Sequence, residues 1–300
     1  MILVFGGHGQ LGQELTRTPA AMGTPFTALA RADADIGDSA AVKRAIDRVR
    51  PSLVVNAAAY TNVDRAEADC DTAERNNTAA PALIAAACAV AEIPLIHMST
   101  DYVFGGEKLG AYVETDPVAP LGVYGRTKAA GEQAVRVALD RHIILRTSWL
   151  YGAFGQNFLK TVLRLTAEQE ELRIVADQRG SPTSTRDLAA AILRIAPDLI
   201  AGKAVWGTYH FAGTGVTTWH GFAERIVAAQ APLTGRRPPV RAVTTAEFPR
   251  PARRPANSAL DCSRFARVFG FSAGAWEREA DAVTRAVVQG SQAYRAGHVA

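Results

Sequence analysis

The chain has 300 residues, and 33 lysines and arginines against 29 aspartates and glutamates give it a formal net charge of +4. This length suits one large domain or two modest ones, and 48% hydrophobic with 21% charged residues excludes a disordered chain or a coiled coil. Its three cysteines form no C-x-x-C pair, which excludes a disulfide scaffold or a zinc ribbon and favours a reducing compartment.

The apolar runs of the sequence are short. None approaches the ~20 residues that a membrane-spanning helix needs. The opening apolar run stops at Gly6 and has no basic region before it, so we expect no secretion signal. We therefore expect a cytoplasmic protein with no membrane partner.

In the first half of the chain, short apolar runs alternate with longer, Ala-rich periodic stretches. They predict strands at 2–5, 26–29, 53–55, 95–98 and 143–145, and helices at 10–16, 41–49, 72–91 and 124–139. Asp38 lies where it can cap the second helix, and Pro81 predicts that the third begins or kinks near it. This alternation is typical of an α/β fold, a Rossmann-type doubly wound parallel sheet with helices on both faces.

After Trp149, glycines and prolines divide the chain into shorter pieces. We predict helices at 158–168, 187–196 and 219–230, strands at 172–175 and 208–211, and mostly extended loop over 231–255. The expected organisation is a dinucleotide-binding domain over 1–150, to which about 184–214 return. A smaller, irregular α/β substrate-binding domain is expected over about 151–183 and 215–300.

A glycine-rich loop joins the first predicted strand to the first predicted helix. Gly6, Gly9 and Gly12 have the spacing G-x-x-G-x-x-G, which suits a tight turn, close backbone approach to a pyrophosphate and close helix–strand packing. The helix N-terminus adds free N–H groups and a partial positive charge. An ordinary glycine-rich turn is the alternative, but the position in the fold favours dinucleotide binding.

The second predicted strand ends in Ala30-Arg31. Many such folds carry an acidic residue there, which holds the ribose 2′-hydroxyl of NAD. A guanidinium at Arg31 can instead face a 2′-phosphate, which favours NADPH, with NADH as the other candidate cofactor. A solvent-exposed Arg31 without a partner is the alternative.

Tyr124 and Lys128 form a Y-x-x-x-K pair on a predicted helix, where residues i and i+4 share a face. A neighbouring ammonium lowers the pKa of a phenol, and Tyr124 can then donate a proton to a carbonyl oxygen while hydride arrives at carbon. Thr100 follows the fourth predicted strand, at the sheet edge where ligands collect. We therefore predict Thr100, Tyr124 and Lys128 as catalytic residues, the alternative being a surface Tyr–Lys pair.

Taken together, these motifs resemble the extended short-chain dehydrogenase/reductase superfamily and, within it, the dTDP-4-dehydrorhamnose reductases. The resemblance covers nearly the whole chain. Its most specific segments are 9–12, 55–61, 99–104, 146–152, 177–183 and 254–258. The last three lie outside the nucleotide fingerprint, so they point to a subfamily rather than to the fold.

The resemblance implies further cofactor and substrate contacts. Beside Gly6, Gly12 and Arg31, the cofactor-binding residues are Gly9, Gln10 and Leu11 at the pyrophosphate, Asp35 and Ile36 at the adenine, and Ala57, Ala58, Ala59, Tyr124 and Lys128. The implied substrate-binding residues are Thr100, Asp101, Tyr102, Trp149, Arg254 and Asn257. Packing for Trp149, a turn for Asp35 and a cap for Asp101 are the alternatives.

The resemblance also implies a reaction and a partner. It implies NAD(P)H-dependent reduction of the C4 keto group of dTDP-4-dehydro-β-L-rhamnose to dTDP-L-rhamnose, by a monomer or homodimer. Six arginines lie between residues 236 and 254, with Phe248 as the one aromatic among them. Because nucleic-acid binding needs stacking platforms or a helix–turn–helix, we expect no nucleic-acid partner.

Some members of the family bind Mg²⁺ through glutamates at a dimer interface. Glu14 matches one such position, whereas Arg186 stands where another carboxylate is expected. A guanidinium cannot ligate Mg²⁺, which takes oxygen ligands. We therefore expect no metal site.

Two other functions stay open. The first is a nucleotide-sugar epimerase, another 4-keto sugar reductase or a 4,6-dehydratase of the same superfamily. A dehydratase is expected to carry Asp-Glu after the active-site threonine, whereas Thr100 is followed by Asp101-Tyr102. The second is a non-catalytic protein resembling the regulatory subunit of methionine adenosyltransferase, against which the retained Thr100, Tyr124 and Lys128 argue.

Overall fold

A computed structural model describes residues 1–17, 25–203 and 205–290 of the chain. Its strands are β1 (Ile2–Phe5), β2 (Phe26–Leu29), β3 (Leu53–Asn56), β4 (Leu95–Thr100), β5 (His142–Thr147), β6 (Leu150–Tyr151), β7 (Leu172–Val175), β8 (Arg179–Gly180), β9 (Thr183–Ser184), β10 (Gly207–His210), β11 (Thr217–Thr218) and β12 (Val240–Val243). Six of them form one parallel sheet in the order β2-β1-β3-β4-β5-β10. The short strands pair outside it, as β11 with β8, β12 with β7 and β6 with β9.

Helices connect and cover these strands. They are α1 (Gln10–Arg17), α2 (Ser39–Val49), α3 (Val63–Ala66), α4 (Cys70–Glu74), α5 (Ala80–Val90), α6 (Val123–Ala138), α7 (Phe158–Glu168), α8 (Thr185–Ile200), α9 (Trp219–Thr234), α10 (Ser263–Phe269) and α11 (Trp276–Gln289). A π-helical turn, Arg75–Ala79, joins α4 to α5, and a 3₁₀ turn, Asp101–Val103, follows β4. Within the described ranges, no helix combines the length and apolarity needed to cross a membrane.

The central sheet is apolar on both faces because helices cover both. All four residues of β1 are fully buried. Ile2 and Val4 pack in a cluster with residues of α1, α8 and α10, while Leu3 and Phe5 pack with residues of α2 and α5. Continuous apolar strands are what a parallel sheet buried on both sides requires. The predicted doubly wound α/β fold is therefore confirmed.

The predicted elements of the first half are found with small shifts in their ends. The strand predicted to end at Met98 continues to Thr100. Asp38 caps α2, its side chain accepting the Ala40 backbone N–H. The helix predicted over 72–91 is divided by the π-helical turn, and α5 begins next to Pro81. A proline fits there because the first turn of a helix leaves its N–H groups unpaired.

Most of the segment 231–255 lies outside helices and strands, as predicted, but two stretches of it differ from the prediction. Helix α9 continues through Pro232 to Thr234, and β12 pairs in parallel with β7. The prolines of this segment hid a strand whose partner lies about 70 residues earlier, and backbone pairing of that kind leaves no local sequence signal. Helices α10 and α11 were also missed.

A further apolar cluster lies apart from the two that cover the sheet, and it includes Trp149, Leu159 and Phe222. Phe265 and Phe269 of α10 pack on the sheet cluster rather than on this one. The division of the chain into two domains, with the boundaries given above, stays a prediction.

Candidate active site

A cleft of about 810 Å³ opens at the carboxyl ends of β1, β3 and β4. In a doubly wound sheet this edge is where ligands bind. The predicted site residues in its wall are Gly6, Gly9, Gln10, Leu11, Arg31, Asp35, Ile36, Ala57, Ala58, Ala59, Thr100, Asp101, Tyr124, Lys128 and Trp149. Segments far apart in the sequence therefore meet around one cavity.

The glycine loop forms a cradle that side chains would fill. Gly6 has φ of +93°, and a Cβ there would lie 2.7 Å from the Ala58 backbone nitrogen. A Cβ on Gly12 would collide with the carbonyl oxygen of Gly6 and lie 2.8 Å from Gly7 Cα. The loop is braced by the Gly9 N–H, which donates to the Gly6 carbonyl at 2.9 Å. Because the backbone is bare and lies at the start of α1, the loop fits a dinucleotide pyrophosphate.

The strip Ala57–Ala59 forms the neighbouring part of the wall. It is held by Asn56, which is fully buried at the end of β3. The Asn56 carboxamide accepts the Ala58 N–H at 3.2 Å, and its nitrogen lies 3.1 Å from Nδ1 of buried His97. Burial holds the pKa of His97 well below its usual range, so the imidazole is neutral. Backbone and small side chains thus form the cofactor end of the cleft.

The predicted catalytic residues meet on one side of this cleft. Thr100 ends β4, and Tyr124 and Lys128 lie on the first two turns of α6. The Thr100 hydroxyl donates to Asp101 Oδ1 at 3.0 Å and accepts the Tyr102 N–H at 3.1 Å. Helix α6 comes this close because it carries Gly125, where a Cβ would collide with the Tyr102 carbonyl oxygen.

Burial dominates the pKa values of the two titratable groups. It raises the pKa of Tyr124 to about 12, although the Thr100 hydroxyl opposes the shift. It lowers the pKa of Lys128 to about 8, although Glu132 opposes that shift. The predicted net lowering of the phenol pKa is therefore wrong: burial outweighs the favourable effect of the nearby Lys128 ammonium, whose Nζ donates to the Met98 carbonyl at 2.5 Å. At neutral pH Tyr124 keeps the proton that a donor needs.

Asp101 is a second buried acid in the cleft wall. Only 2% of it is exposed, and burial raises its pKa to about 7. Its Oδ1 accepts from Thr100 at 3.0 Å, whereas its Oδ2 makes no hydrogen bond of standard geometry among the described residues, although the nearby Ser258 side chain opposes the rise in pKa. A buried polar atom without a partner is costly unless a ligand or water satisfies it. Asp101 therefore fits a role in binding a polar ligand group.

A buried ion-pair network holds α6 against the sheet. Glu132, one turn after Lys128, accepts from Arg146 Nε at 2.8 Å and Nη2 at 2.7 Å, and from the Ser99 hydroxyl at 2.6 Å. Burial alone would raise the pKa of Glu132, but these contacts bring it below its usual range. Sequence analysis missed this pair. The one sequence feature that could have indicated the pair is the i, i+4 spacing that places Glu132 on the same helix face as Tyr124 and Lys128.

Aromatic side chains form the opposite wall. Trp149 stacks on Trp219 with ring centroids 3.6 Å apart and planes 8° apart, and Phe158 packs on Trp219 at 4.6 Å. Gly180 leaves room for this stack, because a Cβ there would lie 2.5 Å from Trp149 Cε2. Trp219 and Phe158 both line the cleft and were missed by sequence analysis. Neither lies near a catalytic motif, so no local pattern identified them.

Three predicted substrate-binding residues do not line the cleft. Tyr102 packs edge-to-face on Tyr124 at 6.0 Å. Arg254 is bound to Asp64 at 2.5 Å and to the Ala252 carbonyl. Asn257 donates to the Lys108 and Gly110 carbonyls. Their roles as substrate contacts stay predictions, as does that of Gly12 at the cofactor, which packs inside the loop.

Glu14 is buried beside α8. Its carboxylate accepts from the Thr185 hydroxyl at 2.6 Å, and burial raises its pKa. Among the residues that the structure describes, no group of three or more His, Cys, Asp or Glu is placed to hold a metal ion. The expectation that the chain binds no Mg²⁺ stays a prediction.

A Rossmann sheet, a bare glycine cradle and a Thr–Tyr–Lys set at the same sheet edge define an oxidoreductase of the short-chain dehydrogenase/reductase class. Comparison with known proteins gives the family. The family model described as the RmlD substrate binding domain matches residues 1–289, so the chain belongs to this family.

Curated relatives and solved structures agree with this assignment. The chain is 42% identical over 283 residues to the dTDP-4-dehydrorhamnose reductase of Burkholderia thailandensis, covering 92% of this chain and 95% of that one. It is 40% identical to the enzyme of that name from Aggregatibacter actinomycetemcomitans, covering 92% and 96%. A crystal structure of the Bacillus anthracis dTDP-4-dehydrorhamnose reductase in complex with NADP superposes with a TM-score of 0.86 at 35% identity, covering 94% and 97%.

Proposed function

We propose that the chain reduces the C4 keto group of dTDP-4-dehydro-β-L-rhamnose with NADPH to give dTDP-L-rhamnose. The observation that carries this proposal is the meeting of Thr100, Tyr124 and Lys128 in the wall of a cleft whose other end is the glycine cradle. Curated relatives about 40% identical over 92% of the chain, named for this reductase, support the choice of substrate.

Different residues of the cleft bind the cofactor and orient the substrate in such a reduction. NADPH, when bound, supplies the hydride. The cradle from Gly6 to Gly12 holds the pyrophosphate through backbone N–H groups, and Ala57–Ala59 provide a flat wall beside it. The Thr100 hydroxyl orients the sugar carbonyl beside Tyr124.

Proton transfer is the task of Tyr124 and Lys128. Tyr124 holds its proton at neutral pH because burial raises its pKa to about 12, and it gives that proton to the C4 oxygen as negative charge develops there. The Lys128 ammonium, on the same helix face, stabilises the phenolate that remains. The indoles of Trp149 and Trp219 exclude water from the other side of the sugar.

The proposal is tested by adding NADPH and dTDP-4-dehydrorhamnose, generated in situ, to the purified full chain. NADPH absorbance is followed, and the configuration of the product sugar is determined. We expect NADPH to be consumed and dTDP-L-rhamnose to form. A product with the other configuration at C4 would contradict the assignment of dTDP-L-rhamnose as the product.

The same preparation separates the proposal from its rivals. An epimerase keeps its nicotinamide cofactor, so stoichiometric bound NAD without consumption of added NADPH would contradict the proposal. A non-catalytic binding protein would turn over no 4-keto nucleotide sugar. The Asp101-Tyr102 sequence after Thr100 already lacks the second carboxylate that a dehydratase needs.

A further inference from the structure

The adenine end of the cleft contains an acidic residue whose oxygens are already engaged. Asp35 lies in the cleft wall. Its Oδ2 accepts from Arg75 Nη2 at 2.8 Å, and its Oδ1 accepts the Gly37 N–H at 2.9 Å. Each carboxylate oxygen has two lone pairs, so these two contacts leave acceptor positions free, but they fix the orientation of Asp35 and pair its charge with that of Arg75.

Arg75 reaches Asp35 because the local backbone makes room for it. The π-helical turn Arg75–Ala79 widens the helix at this point, a feature often found at functional sites. Asn77 anchors the same turn, exchanging hydrogen bonds with the Tyr60 backbone at 2.8 Å and 3.0 Å. Gly37 has no side chain, and a Cβ there would lie 2.6 Å from the Arg75 guanidinium carbon. The contact between Asp35 and Arg75 therefore depends on the π-helical turn and on the glycine at position 37.

The second arginine of this region is more exposed. Arg31 lines the cleft, and its Nε lies 4.0 Å from Asp35 Oδ2, with 72% of its side chain exposed. Asp33, the other acid of the turn, accepts the Ala30 N–H and does not line the cleft. Since Arg75 compensates the charge of Asp35, the guanidinium of Arg31 is left available for an anion.

We propose that Arg75 is a positioning residue that sets the cofactor preference of this cleft. By binding Asp35 it keeps that carboxylate from pairing with Arg31 and leaves Arg31 to bind the 2′-phosphate of NADPH. This inference rests on the use of a nicotinamide dinucleotide in the proposed function, and it adds the residue that selects between the two forms.

The test measures binding rather than turnover. Isothermal titration calorimetry of the full chain with adenosine 2′,5′-bisphosphate and with 5′-AMP gives the preference for the 2′-phosphate as a ratio of two Kd values. In Arg75→Ala we expect that ratio to fall about tenfold, the effect of losing one charge-assisted contact. Arg75→Lys keeps the charge but not the forked geometry, so it restores part of the ratio.

A substitution at Asp35 should change the 2′-phosphate preference in the opposite direction to Arg75→Ala. Asp35→Asn removes the negative charge beside the 2′-phosphate, so we expect the preference to hold or to rise. A purely structural role of the ion pair predicts that both variants weaken both ligands alike, which would overturn the proposal. A lower 2′-phosphate preference in Asp35→Asn would also overturn it, because the carboxylate would then not be the group whose charge Arg75 compensates.

Arg44 provides the matched control. It is an exposed arginine on α2 that pairs with Asp38 at 3.7 Å and lies outside the cleft wall. Arg44→Ala should leave the preference unchanged, and an equal fall would show that overall charge, not Arg75, sets it. Because these ligands lack the nicotinamide and the dTDP-sugar substrate is absent, the result stands whether or not the chain reduces dTDP-4-dehydrorhamnose.

Discussion

The two ends of the cleft are built from different parts of the polypeptide. At the cofactor end, the wall is backbone and small side chains, from Gly6 to Gly12 and along Ala57–Ala59. At the other end, it is a stack of large aromatic side chains, Trp149, Trp219 and Phe158. The first end presents N–H groups in a fixed arrangement, and the second presents a flat apolar surface.

This difference explains what each end can tolerate. A backbone surface is set by φ and ψ and by the absence of Cβ atoms, so a single methyl group can destroy it. An aromatic surface depends on rings that hold one another in place, and another ring can replace one of them. Substitutions at the two ends should therefore fail in different ways.

Tyr124 lies where the two ends meet, and its loss should have the largest effect. Tyr124→Phe removes the proton donor and little volume, so we expect kcat to fall by about 10²- to 10⁴-fold while NADPH binding is retained. Steady-state rates and NADPH titration measure the two quantities. Tyr209→Phe, which removes a hydroxyl bonded to the Val205 carbonyl away from the cleft, is the control. Equal rates in Tyr124→Phe and the unsubstituted chain would rule out the proposed donor.

Gly12→Ala tests the backbone end. The added methyl group meets the Gly6 carbonyl and Gly7 Cα, so the loop must shift. Overpacking of this kind costs about 1–3 kcal/mol, which corresponds to NADPH binding weaker by about 5- to 150-fold. Cofactor fluorescence gives the Kd. Gly110→Ala, at a glycine with nothing within 4 Å of its added Cβ, should bind normally, and unchanged binding in Gly12→Ala would show that the loop does not hold the cofactor.

Trp219→Ala tests the aromatic end. Without Trp219 the ring of Trp149 loses its stacking partner, so we expect KM for the sugar nucleotide to rise about two- to tenfold with kcat little changed. Trp219→Phe should recover most of the affinity. Trp206→Ala, outside the cleft wall, controls for the loss of an indole. A fall in kcat at unchanged KM would show that the stack acts on the chemistry instead.

The smallest expected effect is the change of kcat with pH, which follows the protonation of Lys128. Burial lowers the pKa of Lys128 to about 8, so the ammonium is present below that pH and is lost as the pH rises through it. Since reduction leaves a phenolate beside Lys128, kcat should be constant at neutral pH, half-maximal near pH 8 and lower above it. Lys128→Arg should move this fall to higher pH because a guanidinium stays charged. A profile without a fall would exclude Lys128 from the reaction.

Sequence analysis predicted the parts of the site that depend on local spacing. The glycine loop, the end of β4 at Thr100 and the Tyr124–Lys128 pair all follow from strand–helix order and from i, i+4 spacing. It could not predict contacts between distant segments, such as Trp149 on Trp219. The predicted direction of the pKa shift of Tyr124 was also wrong. The prediction considered the neighbouring charge but not the loss of water around the phenol, which raises the pKa.

The contact of Arg75 with Asp35, at the cofactor end, could not be predicted from the sequence either. Nothing in the residues around Arg75 distinguishes it from a surface arginine, since its partner Asp35 lies 40 positions earlier. The contact depends on a π-helical turn and on a missing Cβ at Gly37, and neither can be recognised from propensity alone.

The last strand of the central sheet and two helices of its covering layer arrive late in synthesis. β10 pairs with β5 some 60 residues after it, and Phe265 and Phe269 of α10 complete the layer that α8 begins. While the ribosome is still making these segments, one side of the nascent sheet is covered only in part, by α1 and then by α8, and apolar surface on that side stays exposed. Chaperone capture and aggregation of truncated chains should therefore concentrate on intermediates that stop before about residue 270, since exposed apolar surface is what such processes recognise.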